Sequence, residues 1–133
     1  MNAAYLDASA VVKLFKPERE TAALEAVLTT IPTWISTELV AVEARCAARR
    51  LDSRLLSGVE AVLANVDLRA ATPAIRERAG MAFARPLRAP DAIHAATALS
   101  LRDDLDAAFV YDTDLSKAIA AEGLRVISPG TPA

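Results

Sequence analysis

Short apolar runs alternate with longer segments of helical character along the whole chain. The run AAYL at 3–6 is typical of a buried strand, and the segment at 9–15 that follows it is typical of a short helix. Over the chain, the pattern predicts strands at 3–6, 33–36, 66–69, 108–111 and 124–127, and helices at 9–15, 18–30, 37–50, 53–65, 73–85, 91–104 and 115–122. Gly123 is expected to end the last helix as its C-cap.

Strands that are separated by helices must pair in parallel, with right-handed crossovers. The alternation therefore predicts an α/β fold, a three-layer α/β/α sandwich with a central parallel sheet. In such sheets, ligands bind outside the carboxyl ends of the strands. Functional residues are therefore expected at that edge.

Length and composition limit the class of protein. With 133 residues, 53% of them hydrophobic and 24% charged, the chain is expected to form one domain spanning 1–133. The net charge of −2 argues against the broad basic face that is usual in nucleic-acid-binding proteins. Charged residues interrupt every apolar stretch before the roughly 18 residues that span a bilayer, and no secretory signal pattern is seen. We therefore expect a cytoplasmic protein.

The chain has one histidine, His94, and one cysteine, Cys46. A zinc site with several His or Cys ligands is therefore excluded. No GxSxG-type turn accompanies any serine, which argues against a serine hydrolase. Cys46 lies among alanines and is predicted to be a small buried residue. His94 is predicted to pack, or to hydrogen-bond nearby backbone, rather than to act as a base.

Asp7 and Asp112 each follow an apolar strand, AAYL and AAFVY respectively. Both side chains should therefore lie at the same edge of a parallel sheet. A carboxylate at a strand end is often only a turn residue or a helix cap, so each position alone favours a structural role. Their common edge is what makes them candidates for a site.

Glu43 and Asp91 are predicted to lie on helices. Glu43 shares a helix face with four apolar residues, and an uncompensated carboxylate on such a face carries a desolvation cost. A cation or a distant arginine would compensate it, whereas Arg45 and Arg49 lie on another face. Asp91 follows Pro90 and precedes an almost entirely apolar helix, so it is interpreted as the N-cap of that helix, as a metal ligand, or as both. The apolar residues around Glu43 are Leu39, Val40, Cys46 and Ala47.

Four acids from distant points, without His or Cys, would form a hard oxygen-ligand site. Such sites suit Mg²⁺, with Mn²⁺ as the alternative. A divalent ion held there can activate water and neutralise a scissile phosphate. The four acids therefore predict a metal-dependent hydrolase of phosphate esters.

Four segments, at 5–18, 36–48, 89–99 and 109–129, resemble PIN-domain ribonucleases, and most of all the VapC toxins of bacterial toxin–antitoxin pairs. The stretch DAIHAATA after a proline is the most specific of them. The resemblance implies that Asp7, Glu43 and Asp91 are the first three acids of a Mg²⁺ site and that Asp112 is the fourth. It also places Ser9 beside the first acid, although an N-cap for the first helix is its simpler role. Val110 stands where the family often has Thr, so Asp114 remains an alternative fourth acid.

The same resemblance implies an endoribonuclease that forms homodimers and is silenced by a small, DNA-binding antitoxin. Arg45, Arg49, Arg85 and Arg88 are candidate contacts to RNA phosphates, although solvated helix faces and loops explain them equally well. The apolar residues of the stretch at 51–63 are candidates for an interface, with core packing as the alternative. They are Leu51, Leu55, Leu56, Val59 and Leu63.

Three other functions have weaker support. A phosphoacceptor receiver domain needs paired acids near the first strand and a lysine after a late strand, but Asp7 has no acidic neighbour and Lys117 lies in a predicted helix. A haloacid-dehalogenase-type phosphatase needs the pattern D-x-D, where this chain has Asp7-Ala8-Ser9. A catalytically silent PIN-like module that binds RNA or protein is the third alternative, and four intact acids argue against it.

Overall fold

The computed structural model describes residues 2–81 and 83–132. A five-stranded parallel sheet has the strand order β3-β2-β1-β4-β5. Its strands are β1 (Ala3–Leu6), β2 (Thr33–Thr37), β3 (Val66–Arg69), β4 (Ala107–Phe109) and β5 (Val126–Ile127). The helices are α1 (Ala8–Phe15), α2 (Thr21–Leu28), α3 (Leu39–Leu51), α4 (Leu56–Leu63), α5 (Pro73–Met81), α6 (Ala89–Ser100) and α7 (Thr113–Ala121).

The central strand β1 separates two hydrophobic cores, because successive side chains of a strand point to opposite faces. Ala4 and Leu6 belong to the core formed with α1 to α4. Tyr5 belongs to the other core, formed with α6 and α7. The predicted three-layer α/β/α sandwich with a central parallel sheet is therefore confirmed.

Several element boundaries differ from the sequence prediction. The predicted helix at 53–65 is a 3-10 turn, Ser53–Leu55, followed by α4, because the Asp52 carboxylate accepts a hydrogen bond from the Arg54 N–H and caps that turn. The second helix starts at Thr21 instead of 18, since the Thr21 hydroxyl accepts from the Glu18 N–H. Glu122 is the C-cap of α7, and Gly123 follows it with a φ of 89°, so the glycine ends the helix one position after the cap instead of serving as the predicted C-cap.

The apolar residues at 51–63, which the sequence offered as an interface, differ in their burial. Val59 and Leu63 are buried in the core, so their assignment to an interface was wrong. They lie on the face of α4 that packs against α1 and α3. Leu55 and Leu56 are partly buried, and Leu51 is 50% exposed.

The chain leaves β1 in one direction towards β2 and returns on its other side as β4. This reversal is a topological switch point, where ligands bind in open α/β sheets. Asp7 follows β1 directly, and Asp112 lies three residues beyond β4. No helix in the described ranges is long and apolar enough to cross a membrane.

Candidate functional site

Asp7 is a buried carboxylate at the switch point, with 3% of its surface exposed. It is the N-cap of α1, and its Oδ1 accepts a hydrogen bond from the Ala10 N–H at 3.0 Å. Asp7, and not Ser9, therefore caps this helix. Burial raises the pKa of Asp7 above its ordinary value, and the nearby His94 together with the hydrogen bonds from Ser9 and Ala10 offsets this only in part. The chain thus holds an acid where its negative charge is poorly solvated.

Ser9 links the ends of the two central strands. Its hydroxyl donates to the Asp7 carboxylate at 2.7 Å and accepts from the Tyr111 N–H at 2.9 Å. Tyr111 follows β4, so this one side chain ties the first acid to the loop that carries Asp112. Ser9 therefore positions the first acid.

Glu43 lies on α3 with 24% of its side chain exposed. Its Oε1 atom lies 2.6 Å from Nε2 of His94, the only histidine of the chain. His94 is packed in the interior, as expected, but its hydrogen-bond partners are side chains and not nearby backbone: its other ring nitrogen, Nδ1, lies 2.7 Å from the Tyr5 hydroxyl. The side chain that contacts the Glu43 carboxylate is thus a buried imidazole and not an arginine.

Asp91 lies within the first turn of α6, which begins two residues earlier, at Ala89. Arg88 is its N-cap, so the interpretation of Asp91 as the cap was wrong. Pro90 is tolerated inside the first turn because N–H groups there have no partner in the helix. Burial raises the pKa of Asp91, and the negative charges of Asp112 and Glu43 raise it further. These three acids therefore lie within electrostatic reach of one another.

Asp112 and Asp114 differ in their environment. Asp112 is half-buried and caps α7, with its Oδ1 accepting from the Leu115 N–H at 2.9 Å. Asp114 is exposed in the first turn of the same helix. Of the two, Asp112 is the one whose charge acts on Asp91. This environment favours Asp112 as a partner of the other acids.

The donor set fits a hard divalent cation, since it consists of carboxylates at one sheet edge whose charges act on one another. As the side chains stand, no group of three or more His, Cys, Asp or Glu within 2–81 and 83–132 is arranged to hold a metal ion. Asp7, Glu43 and Asp112 each have a hydrogen-bond partner inside the chain.

An open cleft of about 560 Å³ is lined by Ser9, Glu43, Cys46 and Arg50, among others, and Glu43 is the acid of the site that lines it. Cys46 is exposed in this cleft, so its prediction as a buried residue was wrong. The buried face of α3 is formed by Val40 and by small alanines, and Cys46 lies beside that face. Arg50 was missed as a candidate, and its position two turns from Glu43 on the same helix was the signal that could have found it.

The four arginines proposed as phosphate contacts lie in different settings. Arg45 forms a two-point ion pair with Glu60, with distances of 2.7 and 3.0 Å. Arg88 lies 3.9 Å from the Asp91 carboxylate and is largely exposed. Arg49 and Arg85 are exposed. Of the four, Arg88 is the arginine beside an acid of the site.

The family model described as PIN domain matches residues 4–120. The chain belongs to the PIN domain family. Ribonuclease VapC35 of Mycobacterium tuberculosis is 39% identical over 131 residues, covering 95% of this chain and 96% of the relative. Ribonuclease VapC46 of the same organism is 37% identical over 130 residues, covering 97% and 99%. The resemblance to VapC-type PIN-domain ribonucleases is therefore confirmed.

Two solved structures share this PIN fold. VapC20 of Mycobacterium tuberculosis, described as a sarcin-ricin loop cleaving toxin, matches with a TM-score of 0.71 at 18% identity, over 91% of this chain and 95% of its own. VapBC2 of Rickettsia felis, bound to a DNA fragment from its promoter, matches with a TM-score of 0.70 at 11% identity, over 96% and 98%. At such identities the likeness shows the fold alone, and it agrees with the architecture described above.

Proposed function

We propose that this chain is a Mg²⁺-dependent endoribonuclease and the toxin of a toxin–antitoxin pair, with Mn²⁺ as the alternative metal. The observation that supports the proposal is that Asp7 and Asp112 follow the two central strands at the switch point, while the charges of Asp112 and Glu43 act on Asp91. Two relatives that match nearly the whole chain are named ribonucleases. The receiver and phosphatase alternatives lose their support, because the chain belongs to a different family.

In this proposal Asp7, Glu43, Asp91 and Asp112 hold the metal. A divalent ion bound there supplies activation of water and neutralisation of the scissile phosphate. The chain's own part is to hold these acids near one another in a partly desolvated pocket. Ser9 and His94 hold two of the carboxylates by hydrogen bonds. Arg88, at the edge of the pocket, is suited to contact an adjoining phosphate of the RNA.

The test is an incubation of purified protein with total RNA in Mg²⁺, in Mn²⁺ and in EDTA, followed by mapping of the new 5′ ends. Discrete cleavage sites that require a divalent ion are expected. Ends that form equally in EDTA would indicate a contaminating nuclease and contradict the proposal. RNA that is bound but not cut under every condition would favour a catalytically silent binding module.

We predict that Asp112→Asn reduces the cleavage rate more than Asp114→Asn, by about tenfold or more. Loss of a ligand charge that acts on Asp91 removes charge stabilisation at the metal, which contributes several kcal/mol to such reactions. Asp114 is exposed and serves as the matched control, because the chemical change is the same. Initial rates on one mapped RNA site measure the difference. A larger loss in Asp114→Asn would move the fourth acid by two residues.

The proposed partners are RNA, a cognate antitoxin and a second copy of the chain. The cytoplasm is the proposed place of action, because the substrate and the antitoxin are expected there. Exposed apolar side chains of α3 support an interface, since Val42 is 56% and Leu51 is 50% exposed. This surface replaces the interface that the sequence assigned to Val59 and Leu63.

Expression of the wild-type chain without a partner is expected to arrest growth of a bacterial host, and the Asp7→Asn variant is expected to be tolerated. The reason is that Asp7→Asn removes one acid of the proposed metal site but keeps an oxygen that can cap α1. Growth curves after induction measure the effect, and immunoblots confirm equal protein levels. Equal tolerance of both proteins, in a host that contains the target RNA, would contradict the toxin assignment.

A further inference from the structure

His94 is a buried imidazole with two side-chain partners, and 1% of its surface is exposed. Its Nε2 atom lies 2.6 Å from Oε1 of Glu43, and its Nδ1 atom lies 2.7 Å from the hydroxyl of Tyr5. Tyr5 is fully buried in the middle of β1, and its ring meets the imidazole edge-on. Three residues from β1, α3 and α6 are thus joined in one line that ends at a proposed metal ligand.

With an ionised Glu43 and a neutral His94, the chemistry of the three groups gives each hydrogen bond one direction. An ionised carboxylate can only accept, so Nε2 of His94 must carry the hydrogen that points to Glu43. In a neutral imidazole, Nδ1 is then the acceptor, and the Tyr5 hydroxyl is the donor to it. If that hydroxyl were absent, the hydrogen of the ring could move to Nδ1. Nε2 would then present a lone pair to the carboxylate.

We infer that Tyr5 and His94 form a relay that positions Glu43, with Tyr5 holding His94 in the tautomer whose Nε2–H orients the carboxylate. His94 and Tyr5 act through Glu43 and are positioning residues, not metal ligands. The inference rests on the proposed function for the role of Glu43. It goes beyond that function by assigning to Tyr5 the task of setting the tautomer of His94, and through it the orientation of Glu43.

The geometry at Glu43 supports a metal ligand that is held in position, because His94 engages only one of its two carboxylate oxygens. The hydrogen bond from His94 engages Oε1, while Glu43 also lines the open cleft. The second oxygen therefore remains available to a cation. Groups that hydrogen-bond a metal ligand fix its orientation, and their loss typically lowers metal affinity by about 10- to 100-fold.

The first test is the tautomer of His94, which is the only histidine in the chain and gives an unambiguous signal. In the metal-free wild-type protein at pH 8, ¹⁵N spectra are expected to show a protonated Nε2 and an unprotonated Nδ1. In Tyr5→Phe, the two nitrogens are expected to shift towards the other tautomer. A wild-type ring that is protonated at Nδ1, alone or together with Nε2, would overturn the relay. The wild-type spectrum alone can therefore overturn the relay, and the Tyr5→Phe spectrum tests the part played by the hydroxyl.

The second test is Mn²⁺ affinity, measured by electron paramagnetic resonance of free Mn²⁺. Tyr5→Phe is expected to weaken binding by about tenfold. Tyr111→Phe is the matched control, because it removes the same hydroxyl where it donates to the Pro129 carbonyl, and it is expected to bind normally. Equal affinity of wild type and Tyr5→Phe, with both folded by thermal melting, would contradict the relay.

Two replacements of His94 distinguish its hydrogen bond to Glu43 from its packing in the interior. His94→Gln can present an amide N–H to Glu43, whereas His94→Leu fills part of the same space without a donor. Mn²⁺ affinity is expected to be higher in the Gln than in the Leu variant. Equal affinity in the two would leave only a packing role and overturn the inference. Neither affinity nor tautomer depends on RNA cleavage, so a failure of the ribonuclease proposal would be seen separately.

Discussion

Asp91→Asn is expected to lower RNA cleavage by about 100-fold or more, because the metal and its ligand charges stabilise the transition state by several kcal/mol. The variant is expected to remain folded. Asp91 lies inside the first turn of α6 and does not cap the helix, so no capping hydrogen bond is lost. Initial cleavage rates in Mg²⁺ and a melting curve in EDTA measure the two expectations.

The electrostatics of Asp91 make this variant more informative than a deletion of the side chain. The pKa of Asp91 is raised by burial and by the charges of Asp112 and Glu43, so the folded metal-free protein is destabilised by this charge. A neutral amide of the same shape relieves that cost. The variant should therefore melt no lower than wild type in EDTA, and its loss of activity cannot be attributed to unfolding.

Asp103→Asn is the matched control for Asp91→Asn, since Asp103 is an exposed aspartate in the turn after α6. It makes the same chemical change a few turns away and is expected to cleave at the wild-type rate. Wild-type cleavage by Asp91→Asn would remove this residue from the metal site. A loss of activity in both variants would indicate a general charge effect on RNA binding.

The sequence predicted the fold well because the central strands β1 and β4 are covered by helices on both faces, which makes them continuously apolar and easy to recognise. It also placed Asp7 and Asp112 at one edge, since that inference needs only the strand ends and parallel pairing. Helix boundaries were less accurate. The start of α6 at Ala89 depends on Pro90 being tolerated in a first turn, and the break at Asp52 depends on one capping hydrogen bond.

The environments of Cys46 and His94 could not be predicted, because they depend on how each helix is rotated against its neighbours. Cys46 lies next to the buried face of α3, and a small rotation of the helix separates a core position from the cleft. The partners of His94 are 51 and 89 residues away in sequence. The sequence indicated only that His94 needs polar partners, because it lies one turn after Asp91 in a buried helix, and it did not indicate which residues they are.

Asp7→Asn is expected to raise the melting temperature of the metal-free protein, by about 4 °C for each kcal/mol gained. Asp7 is 3% exposed, and burial is the main reason that its pKa is raised. The neutral amide removes the cost of the buried charge. Its oxygen can still accept from the Ala10 N–H, so the cap of α1 is kept.

The pH dependence of this gain follows from the sign of the shift. Because the pKa of Asp7 is higher in the folded than in the unfolded chain, the folded state binds more protons between the two values. Wild-type stability therefore falls as the pH rises from about 4, the ordinary pKa of an aspartate, to the raised value. The Asp7→Asn variant does not lose stability over this pH range, because its amide does not ionise. The difference between the two melting temperatures in EDTA should widen over that range and then stay constant.

Magnesium should reverse the order of the two proteins. Binding to the folded state alone adds about 2.7 kcal/mol of stability at 100 times the dissociation constant, and Asp7→Asn lacks one of the charges that bind the ion. Melting curves of both proteins in EDTA and in Mg²⁺ should show a large rise in melting temperature for wild type and a small one for the variant.

Asp7→Ala separates the effect of the helix cap from the effect of the charge, because it loses both, whereas Asp7→Asn loses only the charge. Asp7→Ala should therefore be less stable than Asp7→Asn by about 1 kcal/mol and melt at a lower temperature. If Asp7→Asn were less stable than wild type in EDTA and responded equally to Mg²⁺, Asp7 would be a helix cap only. The burial of its charge would then serve the fold of α1 and not the binding of a cation.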